Sequence, residues 1–311
     1  MKRLLVGIGE LLWDLLPTGR ELGGAPANFA YHVTSLGGEG VVVSCVGSDE
    51  EGQQIADRLH TLSLSCEYIA IDQIHPTGAA SVEIDVEGKP SYIIHEDVAW
   101  DFIPRTPELA KLARRADAVC FGTLAQRTIV SRATIRGFLE GTSGNALRIF
   151  DINLRQSFYS RDVIEESLQL ANVLKLSDEE LMVVRDLLSL CGDAPMILRE
   201  LSRRYNLRLI AVTRGEGGSI LYSGEETSIH PGHQTEVVDT VGAGDSFTAA
   251  LAMGVLRGQS LDSINSNANR VAAYVCSRPG ATPELPDELR NVVKSVDREI
   301  NYVRNSALSE G

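Results

Sequence analysis

The chain has 311 residues, 43% of them hydrophobic and 23% charged, a balance that excludes a disordered tract or a fibrous repeat. Forty-two acidic against twenty-nine basic side chains leave a formal charge of −13, which argues against non-specific nucleic-acid binding and means that an anionic ligand must be captured locally. No apolar run approaches the roughly 18 residues that span a membrane, and the five scattered cysteines form no C-x-x-C pair, so a cytoplasmic protein with reduced thiols is expected.

The first strand is predicted at Leu4–Ile8. Its Met-Lys-Arg start imitates a secretion signal, but Glu10 and Asp14 interrupt the apolar run and no small-residue cleavage site follows. Further strands are predicted at Val41–Val46, Ala118–Phe121, Arg148–Ile152, Val173–Leu176, Leu209–Thr213 and Ser219–Tyr222. Between them, helical periodicity covers Ala25–Leu36, Gly52–Leu62, Thr106–Arg115, Ser131–Leu139, Arg161–Ala171, Asp178–Leu188 and Pro195–Tyr205. Alternation on this scale predicts βαβ units and a mostly parallel sheet covered on both faces. Tyr68–Ile94 breaks the rhythm. Val82, Ile84 and Val86 alternate with Glu83 and Asp85, which predicts a one-faced sheet, with a turn at Glu87-Gly88-Lys89-Pro90 and a second strand at Ser91–Ile94. A small sheet cannot bury its apolar face alone, so this excursion reads as a lid that also pairs two subunits. The last third is helical, over 244–257, 261–276 and Pro286–Tyr302. One domain over 1–311 is expected, with lid excursions near 10–24 and 67–100.

The sharpest chemical segment is Asp239-Thr240-Val241-Gly242-Ala243-Gly244-Asp245, which opens a helix. Glycines at 242 and 244 allow a tight turn, and the first amides of a helix, with its dipole, form an anion hole. A plain turn with Asp245 as a cap remains an equally simple reading of these residues alone. No Walker string G-x-x-x-x-G-K-[ST] is present, and Gly7-Ile8-Gly9-Glu10-Leu11-Leu12 lacks the third glycine of a dinucleotide fingerprint. His230 and His233 have no third ligand nearby in sequence, so a metal site there is not expected.

This segment resembles the second signature of the ribokinase, or phosphofructokinase-B, family of carbohydrate kinases, and Gly23-Gly24-Ala25-Pro26-Ala27-Asn28-Phe29-Ala30 resembles the first. Together with Ala99-Trp100-Asp101 and Asp151-Ile152-Asn153-Leu154-Arg155, they look most like fructokinases. The resemblance implies a ribokinase-like three-layer α/β sandwich with a small β lid. It implies transfer of the γ-phosphate of MgATP to a sugar hydroxyl, most simply the 6-hydroxyl of fructose. Asp245 would be the general base, and the amides of Gly242, Ala243 and Gly244 the anion hole. Asp14, Gly24 and Asn28 would hold the sugar, with Gln126 and Arg155 beside it. Arg155 can also neutralise the moving phosphoryl group. Thr213, Gly215 and Gly218 match the family's T-x-G-x-x-G nucleotide loop, and Lys175 and Asn269 would flank the nucleotide. Glu180 matches a glutamate that organises Mg2+ through water, although Ser177 stands where the family has asparagine, and Ser177 with Glu180 also reads as a helix cap. More loosely, carbonyls near Asp239, Val241, Val275, Arg278 and Gly280 would surround a monovalent cation such as K+. The alternatives within the class are a 2-keto-3-deoxygluconate kinase, a ribokinase or a nucleoside kinase. Outside it stands a non-catalytic sugar or nucleotide sensor, which would need no base.

Overall fold

Strands rich in β-branched residues, most of the central ones followed by a helix, assemble into a nine-stranded sheet with apolar clusters on both faces. The computed structural model describes residues 2–16, 19–84, 90–224 and 226–292. Its first third contains β1 (Leu4–Ile8), β2 (Leu12–Leu16), β3 (Gly19–Gly23), α1 (Ala25–Ser35), β4 (Glu39–Gly47), α2 (Glu50–Thr61), β5 (Ile69–Asp72), β6 (Gly78–Ile84) and β7 (Pro90–Ile94). The middle adds α3 (Pro107–Arg115), β8 (Ala118–Phe121), α4 (Ile129–Glu140), β9 (Leu147–Asp151), α5 (Arg161–Leu170), β10 (Val173–Ser177), α6 (Asp178–Leu187) and α7 (Ala194–Tyr205). Then come β11 (Leu209–Thr213), β12 (Ser219–Ser223), β13 (Glu226–His230), α8 (Ala243–Leu256), α9 (Leu261–Cys276) and α10 (Asp287–Val292).

The large sheet runs β13-β12-β11-β10-β9-β8-β1-β4-β5. All neighbours from β11 to β5 are parallel, and β12 and β13 add an antiparallel edge. Period-two alternation decides which face each side chain serves. In β1, Leu4, Val6 and Ile8 join the core shared with α3 to α7, whereas Leu5 points to the one under α1, α8 and α9. The chain leaves β1 for β4 on one side and later inserts β8 on the other. The C-terminal ends of β1 and β8 therefore flank a topological switch point, where open α/β sheets hold ligands.

The second sheet has the order β3-β2-β6-β7. β2 is antiparallel to β3 and parallel to β6, and β6 is antiparallel to β7. This lid leaves the large sheet directly after β1 and returns through Gly23 and Gly24 into α1. Trp13 anchors it, packing in one cluster with Ala27 and Ile55 while its Nε1 donates to the Glu51 carbonyl at 3.1 Å.

Four strands go beyond the sequence reading, the first being β2 itself, Leu12–Leu16, which pairs with β3 and β6. Gly19–Gly23 is polar and glycine-flanked, yet it pairs with β2 and so becomes extended. Ile69–Asp72 pairs with β4 at the edge of the large sheet, so the lid's own later strand begins at Gly78. Glu226–His230 carries little apolar pattern and forms as the hairpin partner of β12. The turn predicted at Glu87–Pro90 falls mostly outside the described residues, as does the last helix beyond Val292.

Candidate active site

The start of α8 lies against α1 and the ends of the central strands. Gly242 adopts φ 75°, and a Cβ there would stand 2.6 Å from the Ala281 carbonyl oxygen, so only glycine fits. The Ala243 amide makes a long 3.3 Å bond to the Thr240 carbonyl, closing the turn. A Cβ on Gly244 would lie 2.9 Å from Lys175 Nζ, so a lysine ammonium faces the first turn of the helix. Asp245 does not cap this helix. Its Oδ2 accepts a 2.9 Å hydrogen bond from Asn28 Nδ2, joining residues 217 positions apart. Asn28 is not a cap either, since the N-cap position of α1 is Gly24, where φ is 119° and a Cβ would meet the Glu10 carbonyl oxygen at 2.5 Å.

Burial and the nearby Asp151 charge push Asp245 up to about 6, against the pull of Asn28, Lys175 and Arg155. Asp151 and Lys175 are register partners on β9 and β10, and Nζ donates to Asp151 Oδ1 at 3.0 Å. Burial lowers the Lys175 pKa, but Asp151 and Glu180 more than offset it, so the ammonium titrates above an ordinary lysine. The Thr248 hydroxyl lies 2.9 Å from both Asp151 Oδ2 and the Gly244 carbonyl, which locks this pair onto α8.

On the lid side, Asp14 Oδ2 occupies the space above Gly23, 2.3 Å from where a Cβ would be. Burial and Glu21 raise Asp14, and Arg155 lowers it. Glu10, which the sequence reading left as a mere polar break, is 5% exposed at the end of β1. Burial drives its carboxyl up to about 7. The amides of Glu10 and Ala25 and the Arg155 charge oppose this, and the Asp245 charge adds to it. Its position just past a central strand end was the available signal. Arg155 itself is exposed, on a loop where Asn153 (φ 47°) and Gln156 (φ 48°) both take left-handed backbone. Gln126 is buried, and its Nε2 donates to the Gly122 carbonyl at 2.8 Å and to Ser167 Oγ at 2.9 Å.

Glu180 and Ser177 form the full capping box of α6. The two Glu180 oxygens also take the amides of Leu154 (2.8 Å) and Ser177 (2.7 Å), so this carboxylate is fixed beside a cleft of about 430 Å3 shared with Lys175 and Arg155. Among the described residues no group of three or more His, Cys, Asp or Glu could hold a metal unaided. A hydrated Mg2+ that brings its own phosphate oxygens suits such a lone carboxylate. The Thr213–Gly218 loop follows β11. Gly218 (φ 79°) packs against the His230 carbonyl, while Gly215 faces open space. Asn269 lies in a buried network, with Nδ2 donating to Ser219 Oγ (2.6 Å) and the Asn265 carbonyl (2.8 Å). It therefore fastens α9 to β12 through its amide.

The segment around the expected cation loop is tied together by Asp239, whose carboxylate accepts the amides of Val241 and Gly280, both at 3.0 Å. The Val275 carbonyl already takes the Arg278 amide at 3.0 Å, as helix ends do. Below the lid, Asp101 is fully buried and receives Arg127 Nε and Nη2, each at 2.7 Å. The Arg127 guanidinium stacks 3.9 Å from the Trp100 ring and 4.7 Å from that of Phe158. This arginine is thus neutralised where it stands.

A glycine turn opening α8, a lysine ammonium beside its first turn and a buried carboxylate, gathered near the ends of the central strands, are features a phosphotransferase site needs. The model of the pfkB family carbohydrate kinases matches residues 18–288, and the chain belongs to that family. It is a kinase acting on a sugar hydroxyl, with the ribokinase-like fold. An uncharacterized sugar kinase of Pyrococcus horikoshii is 30% identical over 92% of this chain and 95% of its own. Its crystal structure superposes with a TM-score of 0.78, covering 93% and 99% of the two chains, and it has also been crystallised with ATP. Fructokinase-2 of Solanum lycopersicum is 30% identical over 91% of this chain and 93% of its own. In fold, a Vibrio cholerae fructokinase double mutant solved with fructose, ADP and potassium ion matches with a TM-score of 0.77 at 22% identity, covering 94% and 98%.

Proposed function

We propose that this kinase phosphorylates fructose at its 6-hydroxyl with MgATP, using Asp245 as the general base. The observation that carries the reading is the Asn28–Asp245 bond, which brings two distant motifs to one point at the mouth of α8. The γ-phosphate rests on the amides of residues 242–244 with Lys175 alongside. Phosphoryl transfer then needs mainly positioning and charge stabilisation. Asp14, Gly24 and Asn28 hold the sugar between strand ends and lid. Asp245 orients the acceptor hydroxyl and takes its proton late, for which a pKa of about 6 is better matched than that of a free aspartate. Glu180 fits a role as water-mediated support for Mg2+, which would supply charge neutralisation on the phosphates.

Charge favours a neutral sugar over a keto-acid sugar. The carboxylates of Glu10, Asp14 and Asp245 all share the Arg155 charge, and Arg127 is spent on Asp101. A substrate carboxylate would enter a net acidic site. A K+ dependence through the 239–241 and 275–280 loops, a dimer formed by the lid and a reducing cytoplasmic setting for the five free cysteines complete the proposal. The test is coupled ADP release with fructose, ribose, 2-keto-3-deoxygluconate and a nucleoside, with and without K+. Fructose is expected to lead by about tenfold or more in kcat/KM, one recognition contact's worth of discrimination. Preference for the keto acid or the nucleoside overturns the substrate, and sugar-dependent turnover absent from all four overturns the reading.

A further inference from the structure

Asn28 and His32 are one turn apart on α1, so both face α8 and the 276–284 segment. His32 is wholly buried, and its Nε2 lies 2.9 Å from the Ala281 carbonyl oxygen. A carbonyl only accepts, so Nε2 carries the proton and donates it. Nδ1 is then an acceptor, buried without a hydrogen-bond partner among the described residues. That is a penalty an apolar side chain of similar volume would avoid. The ring stays neutral because burial holds its pKa down to about 4. What His32 holds is the backstop of the anion hole. The Ala281 carbonyl and Cα lie 2.6 and 2.7 Å from the position of a Cβ on Gly242. The neighbouring Gly280 amide is bonded to Asp239, whose other oxygen holds the Val241 amide. Tyr31, next along α1, donates to the Pro283 carbonyl at 3.1 Å.

We propose that His32 is a positioning residue: through the Ala281 carbonyl it sets the Gly242–Gly244 turn at the register where its amides meet a terminal phosphate, while Asn28 sets the base from the same helix. The inference rests on the anion-hole reading above. A shift of about 1 Å in such a turn costs on the order of tenfold to a hundredfold in turnover.

His32→Leu and His32→Gln separate donor from bulk, because a glutamine amide nitrogen reaches about as far as Nε2. Each is titrated with Mg2+-AMPPNP and with Mg2+-ADP, with fructose kcat and KM measured alongside. His32→Leu is expected to lose about tenfold in AMPPNP affinity and at least tenfold in kcat, with ADP affinity and fructose KM within about twofold. His32→Gln is expected to restore both losses to within about threefold. Equal losses for AMPPNP and ADP, no loss at all, or a glutamine variant as impaired as the leucine variant would overturn the proposal. Wild-type protein that binds neither nucleotide removes the anion-hole reading and this inference with it.

Discussion

Asp245→Asn is expected to lower kcat by about 10²- to 10⁴-fold, the range for losing a positioned general base, while MgATP affinity stays near its wild-type value. Asparagine keeps the shape and can still meet Asn28, so the helix start is preserved. What it loses is the ability to take the hydroxyl proton. The same carboxylate fixes the pH dependence. Asp245 works ionised, so kcat/KM should fall as pH drops through about 6, with Glu10, at about 7, titrating in the same window and coupled to it. Near-native turnover of the asparagine variant across that range would remove Asp245 from the role of base.

The second large effect is on stability and runs in the opposite direction. Asp245 rises from 3.8 to about 6 and Glu10 from 4.5 to about 7 in the folded protein. For each, folding favours the protonated form. The penalty is therefore small at pH 4 and below, grows as pH rises, and is complete by about pH 8. Each raised pKa corresponds to roughly 3 kcal/mol at most. Asp245→Asn and Glu10→Gln are accordingly expected to raise Tm at pH 8 and to leave it nearly unchanged near pH 4. The two gains should be less than additive, since each charge raises the cost of the other. A Tm at pH 8 that is unchanged or lower in both variants would mean that these carboxylates are not held at a cost to folding. Higher stability with lost activity in Asp245→Asn would be the trade expected of a buried general base.

Much of this molecule could be read from its sequence for local reasons. Strands such as VVVSCV announce burial on both faces, and helix starts carry their caps in the sequence: Asp49, Thr106, Ser160, Asp193 and Ser260 each cap a helix with their own side chain. The turn before α8 was legible because φ above zero at Gly242 leaves a glycine in the sequence. What escaped depends on register between distant segments. Nothing local to Asp151 reveals that β10 will set Lys175 beside it, nor that Arg127 will slide between Trp100 and Phe158 onto Asp101. Gln126 and Asn269 show a second kind of dependence on distant partners. Both were read toward a ligand, and their buried amides also bond neighbours that nothing local in the sequence reveals. The polar edge strands β3 and β13 were invisible because their partners, not their own side chains, make them extended.

The most direct measurement is a crystal structure of the protein with fructose and Mg2+-AMPPNP. The account predicts the terminal phosphate against the amides of Ala243 and Gly244, and the fructose 6-hydroxyl within about 3 Å of an Asp245 carboxylate oxygen. A triphosphate seated away from that turn, or a sugar with no hydroxyl in reach of Asp245, would contradict it.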